Sequence, residues 1–209
     1  MIVPALLTDK REELIRMAAL CAEFAGYAQI DIMDGEFVPS QSIKVQDLKN
    51  WKSPLRCEAH LMVSDPCLWL EPFKALGAER IIYHFEIKKD HQEIIAKIKK
   101  MGLGAGLAIN PSTKIDEFRH LVDEVDVILF MSVNPGFYGA PFIPQTLEKL
   151  RNFKDEYPKK EAGIDGGIKQ DNLLAVKQSG VDYVCVGSAI LKSSEPACAY
   201  KEFIKLFNG

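Results

Sequence analysis

Short apolar runs rich in β-branched residues alternate along the chain with longer stretches whose apolar positions recur every three or four residues. The runs cover 2–7, 28–33, 56–62, 80–84, 104–109, 125–131, 161–164 and 183–186. The helical stretches cover 10–24, 45–51, 67–76, 91–101, 114–121, 146–155, 170–179 and 197–207. A period of two or an unbroken apolar run reads as strand, and a period of 3.6 as helix. Strict strand–helix alternation predicts a parallel sheet. Eight such repeats of about 25 residues predict a closed (β/α)8 TIM barrel rather than an open sheet. Runs such as Val127-Ile128-Leu129-Phe130 and Tyr183-Val184-Cys185-Val186 are apolar throughout, as strands covered on both faces are. Thr8-Asp9, Ser64-Asp65 and Asp171 stand where helices should begin, and Gly26, Gly77, Gly102 and Gly180 where they should end. No linker or biased tract interrupts the pattern, so residues 1–209 read as one barrel domain.

Composition narrows the class. Of 209 residues, 47% are hydrophobic and 26% charged, with a net charge of −3, which is ordinary for a soluble globular chain. The lysines Lys97, Lys99 and Lys100 alternate with Ile94, Ile95 and Ile98 and read as the wet face of a helix. No basic field is left to hold nucleic acid or an acidic membrane. The five cysteines are odd in number and form no CxxC pair, so neither a disulfide framework nor a zinc ribbon is signalled. The opening residues turn charged too soon for a signal peptide, and no run approaches the ~20 apolar residues of a membrane span. A cytoplasmic location is expected. Trp51 and Trp69 are expected to stand exposed and to favour a homo-oligomer.

In a barrel of this kind the chemistry lies at the C-terminal ends of the strands. The second strand ends in Asp31-Ile32-Met33-Asp34-Gly35, the third carries His60, the fourth carries His84, and the seventh ends in Asp165-Gly166-Gly167. The sixth leads into a loop running from Ser132 to Gly139, and the eighth into Gly187-Ser188. Asp31 alternates with Ile30 and Ile32, so it faces the side they do not. A carboxylate held in such a strand is costly unless paired, liganded or functional. Gly166, Gly167, Gly187 and Ser188 precede the last helices, where backbone N–H groups can cradle an anion. Gly136 to Gly139 can close the same anion from the sixth loop. Two aspartates on facing sides of the barrel mouth can take a proton from one face of a carbon and return one to the other. The enediolate so formed needs electrophilic help, which a divalent metal commonly gives. His60 and the aspartates offer nitrogen and oxygen donors for it.

The segments IDIMDGEFVPS, EAHLMVSDP, GLAINPST, FMSVNPGFYGAPFIP, GIDGGI and VCVGSAI together resemble the ribulose-phosphate 3-epimerases, in the same order, from Pro4 to about Leu191. The resemblance implies the ribulose-phosphate-binding type of barrel and interconversion of ribulose 5-phosphate and xylulose 5-phosphate. It implies a bound divalent metal (Zn, Fe, Mn or Mg). Asp31 and Asp165 match the two acid/base aspartates, which also bind the metal, and His60 matches a metal-binding histidine. Met33, Met62 and Met131 match methionines that line the pocket. Gly136, Phe137, Tyr138, Gly139, Gly166, Gly167, Gly187 and Ser188 match the phosphate-binding segments, and Asp34 an acid that supports the end of the second strand.

Three positions depart from that pattern. Gln29 stands where the family has a metal-binding histidine, Ala5 where it has a serine, and GFYGA where it usually has GFGGQ. Glutamine offers only a neutral carbonyl oxygen, a poorer zinc ligand than imidazole. The expected reading is a phosphosugar 3-epimerase. The alternatives are an epimerase of a different ketose phosphate, or a catalytically impaired phosphosugar-binding relative. A related decarboxylase or hexulose-phosphate synthase would need a lysine between two acids, and the third strand reads Glu58-Ala59-His60-Leu61-Met62 instead.

Overall fold

A computed structural model describes residues 1–136 and 140–209. The strands are β1 (Ile2–Leu6), β2 (Tyr27–Met33), β3 (Arg56–Met62), β4 (Arg80–His84), β5 (Gly104–Ile109), β6 (Val127–Met131), β7 (Glu161–Asp165) and β8 (Tyr183–Val186). All pair in parallel, and β8 returns to β1 to close the barrel. The helices are α1 (Arg11–Ala22), α2 (Cys67–Leu76), α3 (His91–Lys100), α4 (Ile115–Phe118), α5 (Gln145–Glu156), α6 (Gln170–Lys177), α7 (Ser188–Leu191) and α8 (Pro196–Asn208). The stretch expected as a helix over 45–51 is a 3-10 turn, Val45–Leu48, and the one over 114–121 breaks after α4 into a second, Arg119–Glu124. Among the described residues, no helix is long and apolar enough to cross a membrane.

Each strand is buried on two sides. Ile30, Ile32, Ala59, Leu61, Ile128 and Phe130 face outward into the layer shared with the helices. Val3, Ala5, Ile82, Ala108, Val127, Leu129, Tyr183 and Cys185 fill the barrel itself. This division explains why the strands read as continuous apolar runs. At the lower end Arg80 bridges Glu58 and Glu161, and its guanidinium lies over the Tyr183 ring. The Tyr183 ring needs space, which Gly163 opposite supplies: a Cβ there would lie 2.2 Å from the ring carbon Cζ. We expect Gly163→Ala to cost about 1–3 kcal/mol of unfolding free energy, the usual penalty of overpacking a tight core. Urea titration measures it, and an unchanged midpoint would refute the packing account.

One surface expectation is overturned. Trp69 is buried with Leu70, Phe73 and Leu76 on the inner face of α2, and Trp51 is half-buried against the same core. The exposed apolar residue of that helix is Leu68. At the start of α6 it is Asn172, not Asp171, whose side chain caps, by accepting from the Lys169 N–H. Gly77 ends α2 in the left-handed conformation, as a C-terminal glycine should.

Candidate active site and cation group

Strand register sets the site. Asp31 on β2 pairs with His60 on β3, and Met33 with Met62. Asp165 on β7 pairs with Met131 on β6 and with Cys185 on β8. The side chains of Asp31, His60 and Asp165 point inward at one height, at the floor of a cavity of about 1100 Å³ that opens at the C-terminal rim. A second hollow of about 480 Å³ lies at the other end of the barrel, where Arg56 pairs with Glu79 and Arg80 with Glu58 and Glu161.

The floor is a closely bonded polar group. His60 Nδ1 lies 3.0 Å from Asp31 Oδ1 and 3.3 Å from Asp165 Oδ2. Gln29 donates from Nε2 to the same two oxygens, at 2.8 and 2.7 Å, and its Oε1 accepts from the Cys185 thiol at 3.1 Å. Gln29 and His60 are fully buried, and Asp31 and Asp165 are 7% and 9% exposed. Among the described residues no hydrogen bond reaches the second oxygen of either aspartate. Each carboxylate therefore keeps one oxygen for whatever enters the cavity. The two aspartates, expected on facing sides of the mouth, converge on the same side chains.

Burial raises the Asp31 carboxyl above its ordinary value, and the nearby Asp165 charge adds to this, against the hydrogen bonds from His60 and Gln29. Burial alone would lower His60. Its hydrogen bonds to Asp165 and Asp31 win, and push it up to about 9 in the absence of a cation. A histidine raised in the folded state contributes stability that is complete below its unfolded value of 6.5 and is lost as pH climbs through about 9. Asp31, also raised, changes stability in the same direction at lower pH. The metal-free protein should therefore lose stability between pH 6.5 and 9, and urea unfolding in the presence of a chelator measures it. A rise over that window would contradict the bonding pattern.

The donor set suits a small divalent cation. Asp31, His60 and Asp165 each offer one atom, all within 4.8 Å of one another. The separations of 3.0 and 3.3 Å match the edges of a coordination shell with bonds of about 2.0–2.1 Å. Gln29 stands in this group with its NH2 toward the carboxylates, and an NH2 has no lone pair to give a cation. A half-turn of the amide would bring Oε1 there and leave the NH2 for the Cys185 sulfur.

Met33, Met62 and Met131 line the cavity walls, and Gly136, Gly166, Gly167, Gly187 and Ser188 line its mouth. Phe137, Tyr138 and Gly139 lie outside the described residues. Gly166 has φ +114° and Gly167 φ +66°, a region that favours glycine. A Cβ on Gly166 would lie 2.5 Å from Val133. Asp34 accepts the N–H groups of Glu36, Phe37 and Ser64, tying the end of β2 to the loop after β3. The sequence reading missed Lys169 and Lys192 at the mouth, Cys185 in the cavity lining, and Glu86 behind the floor. Cys185 was findable, since it alternates with Val184 and Val186 on β8 and so faces the inner side with Tyr183.

Residues 1–191 match the ribulose-phosphate 3 epimerase family. The cytoplasmic isoform of ribulose-phosphate 3-epimerase from Oryza sativa subsp. japonica is 34% identical over 207 residues, 93% of this chain and 89% of the rice protein. The ribulose-phosphate 3-epimerase of Escherichia coli K12 is 35% identical over 196 residues, 90% of this chain and 84% of its own. Among solved structures, orotidine 5'-phosphate decarboxylase from Pyrococcus horikoshii OT3 superposes with a TM-score of 0.69 at 17% identity, covering all of both chains. That likeness is one of fold alone.

Proposed function

The chain belongs to the ribulose-phosphate 3-epimerase family, and from that premise we propose that it interconverts ribulose 5-phosphate and xylulose 5-phosphate, with Asp31 and Asp165 as its proton-transfer pair. It is a carbohydrate-phosphate epimerase, an isomerase. One observation carries the assignment of residues: two buried carboxylates meet at one histidine nitrogen on the floor of the cavity, each with an oxygen left unbonded among the described residues. A protein that merely held the sugar would not need two adjacent acids in so dry a place.

Carbon 3 of a 2-ketose phosphate is acidic because the carbanion it leaves is delocalised onto the neighbouring carbonyl. One aspartate, ionised, accepts the C3 proton from one face. The other, protonated, gives a proton to the opposite face, and C3 is inverted. The environment suits Asp31 to the protonated role, because burial and then the neighbouring Asp165 charge raise its carboxyl. Met33, Met62 and Met131 present soft, apolar walls that keep water from the carbanionic carbon. Asp31, His60 and Asp165 would hold a divalent cation, with the Gln29 carbonyl as an added oxygen donor after the amide turns. When bound, that cation supplies positive charge for the oxygens that become negative as the proton leaves. With three oxygens and one nitrogen, the set suits Mg²⁺ or Mn²⁺ better than a histidine-richer set would.

The turns at Gly166-Gly167 and Gly187-Ser188 receive the phosphate on backbone N–H groups, with Lys169 and Lys192 adding positive charge at the mouth. Residues 1–209 serve as one barrel domain in this reading. A coupled assay on ribulose 5-phosphate with each divalent metal tests it, with dephosphorylated ribulose as the comparison. Activity confined to the phosphorylated sugar supports it, and inactivity with all metals refutes it. Gly166→Ala should raise KM about tenfold, since the strained turn and the clash with Val133 disturb the phosphate seat. An unchanged KM would remove Gly166 from that seat.

A further inference from the structure

Behind the floor of the cavity, away from the substrate, a line of hydrogen bonds runs from His60 through His84 to Glu86. His60 Nε2 lies 3.1 Å from His84 Nε2, and His84 Nδ1 lies 3.2 Å from Glu86 Oε2. The two imidazoles stack at 29°, with Phe37 packed on the second, and both rings are fully buried. The other Glu86 oxygen, Oε1, accepts the Asn110 N–H at 2.8 Å and the Thr113 hydroxyl at 2.6 Å. Neither His84 nor Glu86 lines the cavity.

Proton counting along this line has one solution. A carboxylate only accepts, so the proton on His84 sits on Nδ1, facing Glu86. With one proton on the ring, His84 Nε2 carries a lone pair. The facing atom, His60 Nε2, must then donate, because two lone pairs 3.1 Å apart repel and two N–H groups clash. His60 Nδ1, 3.0 Å from Asp31 Oδ1 and 3.3 Å from Asp165 Oδ2, donates to those carboxylates while no cation is bound. With the Nε2 proton held by His84, it is the Nδ1 proton that an entering cation displaces, so the Nδ1 lone pair faces the cation. That is the orientation a cation needs from its nitrogen donor.

We propose that Glu86 is a positioning residue: through His84 it holds a proton on His60 Nε2, and so leaves Nδ1 as the nitrogen that gives its lone pair to a cation in the Asp31–Asp165 group. This rests on the reading of that group as a cation site. The carboxylate is needed at this point for a specific reason. Glu86 Oε1 is already claimed by two donors, the Asn110 amide and the Thr113 hydroxyl. In Glu86→Gln the single carbonyl oxygen must serve those two, which turns the NH2 toward His84. His84 Nδ1 then has to accept, its proton moves to Nε2, and His60 Nε2 becomes the acceptor. His60 is left with its only proton on Nδ1, pointing at the aspartates, and a neutral ring cannot give that proton up to a cation unless Nε2 regains one against its new donor. One substitution that touches neither substrate nor cation resets the protons of two imidazoles in series.

The test reads tautomers and cation binding directly. Nitrogen-15 NMR of the two imidazoles in the metal-free wild type should show His84 protonated on Nδ1 and His60 donating from Nε2. In Glu86→Gln both assignments should reverse, and Mn²⁺ affinity, measured by electron paramagnetic resonance, should fall about 10–100-fold, as it does when the partner that orients a ligating histidine is lost. Thermal melting controls for folding, and substrate KM should stay near that of the wild type while kcat falls. A folded Glu86→Gln protein with unchanged tautomers and unchanged Mn²⁺ affinity would overturn the proposal. The wild-type spectrum alone would also overturn it if His84 carried its proton on Nε2, so an unfolded variant does not rescue it. If the wild type binds Mn²⁺ but turns over no ketose phosphate, the epimerase reading falls and the role of Glu86 stands.

Discussion

Asp165→Asn and Asp31→Asn should each lower kcat by about 10²–10⁴-fold while leaving a folded protein, the range typical when a positioned acid or base is removed. An asparagine amide fills the same space but neither takes nor gives the proton. Inversion at C3 needs one group on each face, so losing either should stop turnover in both directions. Folding should survive for an electrostatic reason. The two carboxylates meet within one polar group, and burial together with their mutual repulsion raises Asp31. Removing one charge relieves that repulsion. The relieved repulsion offsets the weakened bond to His60, so the denaturation midpoint of each variant should stay close to that of the wild type while activity falls. A variant that keeps more than a tenth of the wild-type kcat would take its aspartate out of the proton path.

The second large effect is expected at Gln29. The residue is fully buried between Asp31 and Asp165, with its NH2 2.8 and 2.7 Å from their oxygens. In this orientation the amide serves the carboxylates with hydrogen bonds, and any cation must first displace those bonds and turn the side chain. Gln29→His replaces the amide with a ring whose nitrogen lone pair needs no such turn. Divalent affinity should rise by at least about tenfold, the equivalent of ~1.4 kcal/mol, and most for Zn²⁺, which favours nitrogen over a neutral carbonyl oxygen. Competition against a chromophoric chelator measures it. Equal affinities in the two proteins would show that position 29 contributes nothing to the cation's shell.

The strand order was legible because each barrel strand is covered on both sides, so the apolar runs stand out against amphipathic helices. Strand ends fell within two residues of expectation. The helical face of α2 was misread at Trp69: the spacing of Trp69, Phe73 and Leu76 already marks an inner stripe, and size alone suggested a surface contact. The single-turn helix α7 left no periodic trace to read. At the site, the rule that chemistry lies at strand ends pointed to Asp31, His60 and Asp165, which the structure brings together. The same period of two reaches Glu86 from His84. What no linear pattern carries is the stagger of the strands, which decides that residues on β2 and β7 converge on Gln29 and His60. Nor does it reveal which end of the Gln29 amide faces the carboxylates, since that depends on the Cys185 thiol arriving from β8.

The central claim is that Asp31 and Asp165 together invert C3 of a ketose phosphate. The most direct measurement is proton NMR of ribulose 5-phosphate in D2O with the metal-replete protein. The account predicts that the C3 proton is replaced by deuterium as xylulose 5-phosphate appears, and that xylulose 5-phosphate fails to form with Asp31→Asn or Asp165→Asn. Retention of the C3 proton by the wild type, or unchanged epimerisation in both variants, would contradict it.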